Sequence, residues 1–386
     1  MQFPDGTSAG DFLVKHWQQS VAFLPGALSN AAPVLAAEEL AWLATLDDVE
    51  SRLIFTERTG TRTSYRLEHG PFDDVTLRAL PEHDWTLLVH DVEKHLPDFR
   101  RWLAFCDFIP DWRIDDLMIS FAAPGGSVGP HKDNYDVFLC QTSGRREWRL
   151  ADATAPIGAS TSESLSLLEP FGDPAPLIAA DGDVLYLPPG VPHWGIALDA
   201  CMTYSIGMRA PSVAELRCGF ERAYPCDLNP FSGSQSNQDR FYRDAAPAAD
   251  ESAPGEISAS SVQRCRDLIS GGCPVSDRAL AIALGVVVTD LKAWLQPDGW
   301  TDDEIADVEN LQASLPVHGM ARVAWHTFSE SGVVFANGEY RLLSPTELVL
   351  IRQMCADRSI DGQTLQMHFN GELLRWLLKL GVFAHI

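Results

Sequence analysis

The motif that decides the fold is the stretch PGGSVGPHKD at residues 124–133. His131 and Asp133 stand two positions apart in it. In a β-strand, side chains at that spacing project from the same face, so both can reach one ion while Lys132 points away. The glycines before them permit a tight entry turn. The motif therefore predicts two metal ligands on a strand of a β-rich domain.

A second segment supplies a third ligand. Residues 182–193 (GDVLYLPPGVPH) run from a turn through an apolar strand into a Pro-Gly turn that ends at His193. Two imidazoles and one carboxylate on one face of an octahedron hold Fe(II) and leave the other face open for an organic cosubstrate and O₂. A His-x-Asp alone arises often by chance, and structural histidines are the alternative. The two motifs together favour a metal site formed by His131, Asp133 and His193.

Short β-rich runs surround these motifs. The predicted strands are 51–56, 64–67, 117–122, 136–141, 147–150, 183–187 and 203–208, with a helical segment at 35–46. Many short strands separated by Gly, Pro, Ser and Asp turns indicate a sandwich or barrel. We therefore expect a mainly β catalytic domain over residues 1–211.

The pattern becomes helical after residue 211, where Ser212 is a predicted N-cap. Residues 229–261 read as a long connection, and helical spacing follows at 262–269, 276–291 and 302–315. The last part mixes strands at 323–326, 332–335 and 340–343 with helices from Ser344 and Gly371. We expect a helical region over 212–300 and a winged-helix-like domain over 301–386.

The charge balance argues against nucleic acid as a partner. The chain has 29 basic and 53 acidic residues, a formal net charge of -24, whereas phosphate binding needs a surplus of Lys and Arg. Residues 301–386 carry six Lys and Arg against eleven Asp and Glu, so the winged-helix-like domain is not expected to bind DNA. A basic protein partner is more plausible, although an acidic surface also serves solubility alone.

The cysteines and the apolar stretches point to the cytoplasm. The eight cysteines form no Cys-x-x-Cys pair and read as reduced thiols. The N-terminus lacks the pattern of a secretory signal. The longest apolar stretch, 279–288, is shorter than the ~20 residues that cross a bilayer. We expect a cytoplasmic protein with no membrane association.

Several segments resemble the JmjC-type cupin oxygenases that hydroxylate ribosomal proteins, the bacterial branch most closely. They are 113–120 (RIDDLMIS), 131–139 (HKDNYDVFL) and 144–149 (GRREWR), supported by 68–72 (EHGPF) and 204–211 (YSIGMRAP). The resemblance implies a double-stranded β-helix core, the cupin or JmjC jelly roll, with flanking helices. It also implies a helical dimerisation region, hence a homodimer, and a C-terminal winged helix that does not bind DNA.

The resemblance also assigns roles to residues. It implies that His131, Asp133 and His193 bind Fe(II), and that Arg146 and Ser120 bind the far carboxylate of 2-oxoglutarate. A guanidinium suits this role because it gives a carboxylate two parallel charge-assisted hydrogen bonds. Arg145 is a rival, because adjacent strand residues face opposite sides and the residues alone do not choose between them. For Ser120 the alternative is a strand hydroxyl bonded to a neighbouring backbone group.

The implied activity is an Fe(II)- and 2-oxoglutarate-dependent oxygenase that uses O₂ to hydroxylate C3 of an arginine. The substrate implied is large-subunit ribosomal protein number sixteen, a basic protein, whereas the animal relatives hydroxylate histidine. Tyr135, Asp115 and Asp116, near the expected mouth of the site, are candidates to hold a guanidinium. The alternatives are a histidine hydroxylase, a non-redox metal cupin, and a catalytically inactive binding factor.

The sequence leaves two interpretations of one predicted helix, as part of the core or as a dimer interface. The helix predicted at 276–291 has an apolar face that includes Leu280, Leu284, Val287 and Leu291. Spacing alone favours a core face, whereas the resemblance favours a dimer interface.

Overall fold

The structure is a computed structural model that describes residues 1, 3–28, 34–60, 62–159, 166–224, 240–244, 253–269, 275–308, 314–329, 331–368 and 371–385. The chain folds as two units. The first contains residues 1–106 and 114–208, and the second contains residues 107–113 and 209–386.

The first unit holds most of the strands. They are β1 (Ala22–Leu24), β2 (Ser51–Thr59), β3 (Arg62–His69), β4 (Trp85–Val89), β5 (Ile114–Ala122), β6 (Val137–Ser143), β7 (Arg146–Leu150), β8 (Leu177–Ala179), β9 (Val184–Leu187), β10 (His193–Ala197) and β11 (Cys201–Met208). Its α-helices are α1 (Ala9–Lys15), α2 (Ala37–Leu43), α3 (Asp74–Arg78) and α4 (Val92–His95). Two 3-10 helices span Pro4–Gly6 and Pro97–Cys106.

Two antiparallel sheets form the core of this unit. The larger has the order β1-β9-β6-β11-β5-β4-β2-β3, and the smaller has the order β10-β7-β8. All the strand pairs described within them are antiparallel. The prediction of a mainly β core with flanking helices is confirmed.

The apolar cluster between the sheets identifies the inner face of the larger one. Val137 and Leu139 of β6 and Leu185 and Leu187 of β9 pack with Trp148 of β7, which belongs to the smaller sheet. Side chains alternate along a strand, so residues of neighbouring strands that pair directly with these residues of β6 and β9 face the same interior.

The second unit contains the remaining elements. Its α-helices are α5 (Val213–Ala223), α6 (Ala259–Ile269), α7 (Asp277–Thr289), α8 (Asp302–Val308), α9 (Pro345–Asp357), α10 (Gly362–His368) and α11 (Glu372–Lys379). Its strands are β12 (Leu315–Pro316), β13 (Val323–Thr327), β14 (Gly332–Ala336), β15 (Glu339–Leu343) and β16 (Ser359–Ile360). A 3-10 helix spans Asp111–Arg113. The strands form the sheets β13-β14-β15 and β12-β16.

Ser212 begins α5, as its sequence context predicts. Its hydroxyl accepts the backbone N–H of Glu215, while the Glu215 carboxylate accepts the backbone N–H of Ser212. This capping box satisfies donors that a helix otherwise leaves unpaired, and it marks the end of the β-rich region.

Helix α7 is the centre of the second unit. It is buried along nearly its whole length, with Leu280, Leu284 and Val287 at most 7% exposed. It packs against α5, α6 and the sheet β13-β14-β15. The part of the apolar face formed by Leu280, Leu284 and Val287 is therefore core, whereas Leu291 lies beyond the end of α7 and is half-buried. The homodimer, the dimerisation region and the winged helix stay predictions, as do the boundaries at 211 and 300.

Two predicted segments need correction. The helix predicted over 302–315 is described over Asp302–Val308, residues 309–313 lie outside the described part, and Leu315 belongs to β12 instead of a helix. The connection predicted over 229–261 already contains the start of α6 at Ala259. Its residues 229–239 and 245–252 also lie outside the described part.

Candidate active site

The three predicted metal ligands meet at one point. The ligand atoms of His131, Asp133 and His193 all lie within 4.8 Å of one another. Asp133 Oδ2 is 4.0 Å from His131 Nε2 and 3.6 Å from His193 Nε2. A single cation placed between them would have two nitrogen ligands and one oxygen ligand. That donor set suits Fe(II) and related divalent ions.

The local backbone differs from the prediction, because His131 and Asp133 do not lie on a regular strand. His131 forms an isolated bridge with His193, in which each backbone N–H donates to the other residue's carbonyl, at 3.0 and 2.8 Å. The backbone N–H of Gly190 donates to the carbonyl of Asp133 at 2.7 Å. The two motifs are thus bonded directly to each other. His193 is also the first residue of β10, a strand that the sequence did not predict.

The second nitrogen of each imidazole fixes its orientation. His131 Nδ1 lies 2.9 Å from the carbonyl oxygen of Gly129, and His193 Nδ1 lies 2.9 Å from that of Val191. A carbonyl only accepts, so Nδ1 carries the hydrogen and Nε2 presents its lone pair to the centre. Burial, with the neighbouring His131, lowers the pKa of His193 to about 4. The ring is therefore neutral near pH 7, the form that binds a metal.

A polar row runs along the inner face of β5 and β11. Leu139 pairs with Ser205, and Val137 pairs with Gly207. The odd-numbered residues of β11 therefore lie on the inner face. The β5 partners on the same face follow from the register, and the pairs are Ala122–Cys201, Ser120–Thr203, Met118–Ser205 and Asp116–Gly207. Ser120 thus lies toward one end of the interior and Asp116 at the other.

The structure separates the two adjacent arginines. Arg146 is 3% exposed, and its Nη2 lies 3.7 Å from Cys201 Sγ, at the Ser120 end of the row. Its buried Nε has no hydrogen-bond partner among the described residues. The Arg145 side chain is 59% exposed, and its Nε donates to Asp199 at 2.8 Å. Of these two arginines, Arg146 is therefore the one with an unsatisfied buried donor, which fits a ligand carboxylate.

Ser120 is 4% exposed and lies two residues before Ala122, the β5 partner of Cys201. Its hydroxyl donates to the carbonyl of Thr203 at 3.3 Å, the backbone bond considered as its alternative role. The Thr203 hydroxyl donates in turn to Gln141 Oε1 at 2.9 Å. Sequence reasoning missed Thr203 and Cys201, although the alternation along β11 would have found both once its register was known.

Asp116 lines the other end of the row. A Cβ added to Gly207 would lie 3.1 Å from Asp116 Oδ1 and 4.0 Å from the ring of Tyr135, so both side chains lie close to Gly207. His90, which sequence reasoning assigned no role, has its Nδ1 3.5 Å from Asp116 Oδ2. Asp115 falls at an irregularity of the β5–β11 register. A carboxylate and an aromatic ring thus flank this end.

Comparison with known proteins agrees with this geometry. Residues 103–216 match the JmjC domain. The ribosomal protein uL16 3-hydroxylase of Escherichia coli K12 is 42% identical over 211 residues, which cover 54% of this chain and 55% of that protein. A probable ribosomal oxygenase of Haemophilus influenzae is 26% identical over 96% of this chain and 90% of its own. The chain thus contains a JmjC domain and is similar over most of its length to bacterial ribosomal oxygenases.

Solved structures extend the likeness over the full length of this chain. The X-ray structure of E. coli YcfD superposes with a TM-score of 0.72 at 28% identity and covers all of both chains. A structure of YcfD in complex with cobalt and 2-oxoglutarate covers 99% of each chain, with a TM-score of 0.68 at 28% identity. These comparisons support the predictions of a 2-oxoglutarate-dependent oxygenase with a metal and 2-oxoglutarate as cosubstrate, and His131, Asp133 and His193 are the candidate metal ligands of this chain. Among the described residues, no helix is long and apolar enough to span a bilayer.

Proposed function

We propose that this protein is a ribosomal oxygenase that hydroxylates C3 of an arginine in ribosomal protein uL16. The observation that carries the proposal is the polar row, which has the buried Arg146 guanidinium near one end and the Asp116 carboxylate at the other. The similarity to the E. coli uL16 3-hydroxylase supports the same substrate, although the aligned segment spans little more than half of that protein.

In this proposal the residues near Ser120 hold the cosubstrate. The Arg146 guanidinium binds the far carboxylate of 2-oxoglutarate through its unpaired buried donor, and the Ser120 hydroxyl turns from the Thr203 carbonyl to the same carboxylate. His131, Asp133 and His193 hold Fe(II). Bound Fe(II) supplies the oxidising chemistry, in which 2-oxoglutarate and O₂ give succinate and CO₂ while one oxygen atom enters a substrate C–H bond.

The other end of the row recognises the substrate. Asp116 accepts charge-assisted hydrogen bonds from the arginine guanidinium, and the Tyr135 ring lies close enough to contact the same group. The net charge of -24 draws a basic protein toward the enzyme by long-range attraction. These residues favour arginine over histidine, because a guanidinium is always cationic whereas an imidazole is mostly neutral near pH 7.

A peptide assay tests the proposal. The purified protein is incubated with Fe(II), 2-oxoglutarate and uL16 peptides, and mass spectrometry locates any one-oxygen mass gain. We expect the gain on arginine, and we expect Asp133→Ala to abolish it. Asp199→Ala is the matched control, because that carboxylate pairs with Arg145 on the surface and should retain full turnover.

The other outcomes have defined meanings. A mass gain confined to histidine peptides would replace arginine by histidine as the substrate residue. Normal metal binding without any turnover would indicate an inactive binding factor.

The cellular setting is part of the proposal. We infer a cytoplasmic homodimer that acts on a basic ribosomal protein and does not bind DNA. The acidic excess over residues 301–386 supports the last point. Light scattering of the purified protein measures the dimer, and a monomer at micromolar concentration would contradict it.

A further inference from the structure

Ser127 occupies a buried position in the glycine-rich loop that leads to His131. It is 1% exposed. Its hydroxyl oxygen accepts the backbone N–H of Gly129 at 3.0 Å and the indole N–H of Trp194 at 3.1 Å. A serine oxygen has two acceptor lone pairs, and both are used here.

The two donors belong to the two segments that carry the metal ligands. The carbonyl of Gly129 is the group that orients the His131 ring through Nδ1, at 2.9 Å. Trp194 directly follows His193 on β10. Ser127 therefore joins the backbone that aims one imidazole to the side chain next to the other imidazole.

The Trp194 ring, which forms one end of this link, is held in place by its neighbours. It is 9% exposed, the Arg149 guanidinium lies 4.8 Å from its ring centroid, and the Phe171 ring meets it edge to face at 6.3 Å. The loop on the other side of the link contains Gly125 and Gly129, which both have positive φ, at 80° and 89°, where the chain depends on glycine. The serine hydroxyl thus joins the glycine-rich loop to a packed ring.

We propose that Ser127 is a positioning residue that fixes the His131 imidazole relative to His193 and so sets the affinity for the metal. The proposal rests on the metal site of the proposed function. Partners behind metal-binding side chains set ligand orientation, and their loss typically weakens metal binding by about 10- to 100-fold. Ser127 is one step further out, because it acts through the Gly129 carbonyl. We expect an effect at the lower end of that range.

The test measures metal affinity directly, without turnover. Metal-free protein is titrated with Co(II), and the visible absorption of the bound ion gives both the dissociation constant and a signature of ligand geometry. Ser127→Ala removes the acceptor that the Gly129 and Trp194 donors share, and we expect the dissociation constant to rise about tenfold. Ser127→Thr keeps the hydroxyl and should restore most of the affinity.

Trp194→Phe breaks the same link from the other side while keeping an aromatic ring. If Ser127 acts through this link, combining Ser127→Ala with Trp194→Phe weakens binding by clearly less than the product of the two single effects. Fully multiplicative effects would show that the two side chains act separately, and they would overturn the link.

Ser261→Ala provides the control, because Ser261 is equally buried at 1% exposed but lies in the second unit. We expect its Co(II) affinity to match the parent protein. An equal loss in both serine variants would show a general stability effect and overturn the positioning role. Unchanged affinity in Ser127→Ala, with binding lost in Asp133→Ala, would overturn the positioning role and leave the metal site intact. Failure of the parent protein itself to bind Co(II) would overturn both.

Discussion

Replacing Arg146 by methionine should raise the KM for 2-oxoglutarate about a hundredfold, whereas the same change at Arg145 should leave it within about twofold. Methionine keeps much of the side-chain length and removes only the charged group. Charge-assisted hydrogen bonds contribute about 1.5–3 kcal/mol each, and a guanidinium offers a carboxylate two of them. A loss of about 3 kcal/mol corresponds to roughly a hundredfold, since each 1.4 kcal/mol is tenfold.

The contrast between the neighbours follows from where their guanidinium groups lie. Arg146 is buried and retains an unpaired Nε inside the protein. Arg145 pairs with Asp199 where both side chains are largely exposed, and exposed ion pairs contribute only about 0–1 kcal/mol. Its loss should therefore change neither cosubstrate binding nor stability by much.

Initial rates of succinate formation, measured over a range of 2-oxoglutarate concentrations, give KM for each variant. Thermal unfolding of both variants checks that they remain folded. A larger KM increase in Arg145→Met than in Arg146→Met, or equal increases in the two, would refute the assignment of the cosubstrate anchor.

Three further perturbations test other parts of the structure. Burial raises the pKa of Glu93 from 4.5 to about 7, so the folded state holds this proton more tightly than the unfolded chain, and the stabilisation present below pH 4.5 is lost as the pH rises to about 7. Glu93→Gln, which stays neutral, should therefore raise the Tm at pH 8 more than at pH 5, and an equal shift at both would contradict the buried proton. Gly285→Ala places a methyl group into the Phe335 ring and should cost about 1–3 kcal/mol in thermal unfolding, whereas Gly172→Ala, with nothing within 4 Å of the added atom, should leave the Tm unchanged. Asp116→Asn should raise KM for an arginine peptide about tenfold with little change in KM for 2-oxoglutarate, because one charge-assisted pair contributes about 1.5 kcal/mol, and an unchanged peptide KM would exclude Asp116 from substrate binding.

The sequence predicted the metal ligands better than it predicted their backbone. Two short motifs carry His131, Asp133 and His193, and residue type alone indicates the chemistry. The strand assumed for the first motif is absent, because Gly129 at positive φ and Pro130 interrupt it, and the residues after His131 leave the bridge with His193 at once. A metal site requires only that the ligand atoms come together, and different backbone conformations can bring the same side chains to one point.

Strand register is the information that the sequence lacked. Whether Arg145 or Arg146 faces inward depends on the pairing of β7, in which Arg146 is opposite Ala197 of β10 and Ala179 of β8. A shift by one residue would exchange the two side chains, and nothing in the local sequence fixes that shift. The same limit hid Thr203 and Cys201, which lie on the inner face of β11.

In the second unit, the sequence predicted the helices and strands themselves better than it predicted what their apolar faces pack against. Helix and strand periodicity located α7, α9 and β13 to β15 within a few residues, because long patterns with N-caps such as Ser276 and Ser344 are strong local signals. What periodicity does not reveal is the partner of an apolar face. Only the packing of α7 against its own chain shows that Leu280 and Leu284 are core residues.

The polar row also sets a length. Ser120 and Asp116 lie four residues apart on β5, which at the rise of an extended strand separates them by roughly 13 Å. A single synthetic molecule with a carboxylate at one end and a guanidinium at the other would reach both ends only if its linker spanned that distance. The interior of the barrel would then discriminate among inhibitors by chain length, favouring one homologue in a series over those a few methylene groups shorter or longer.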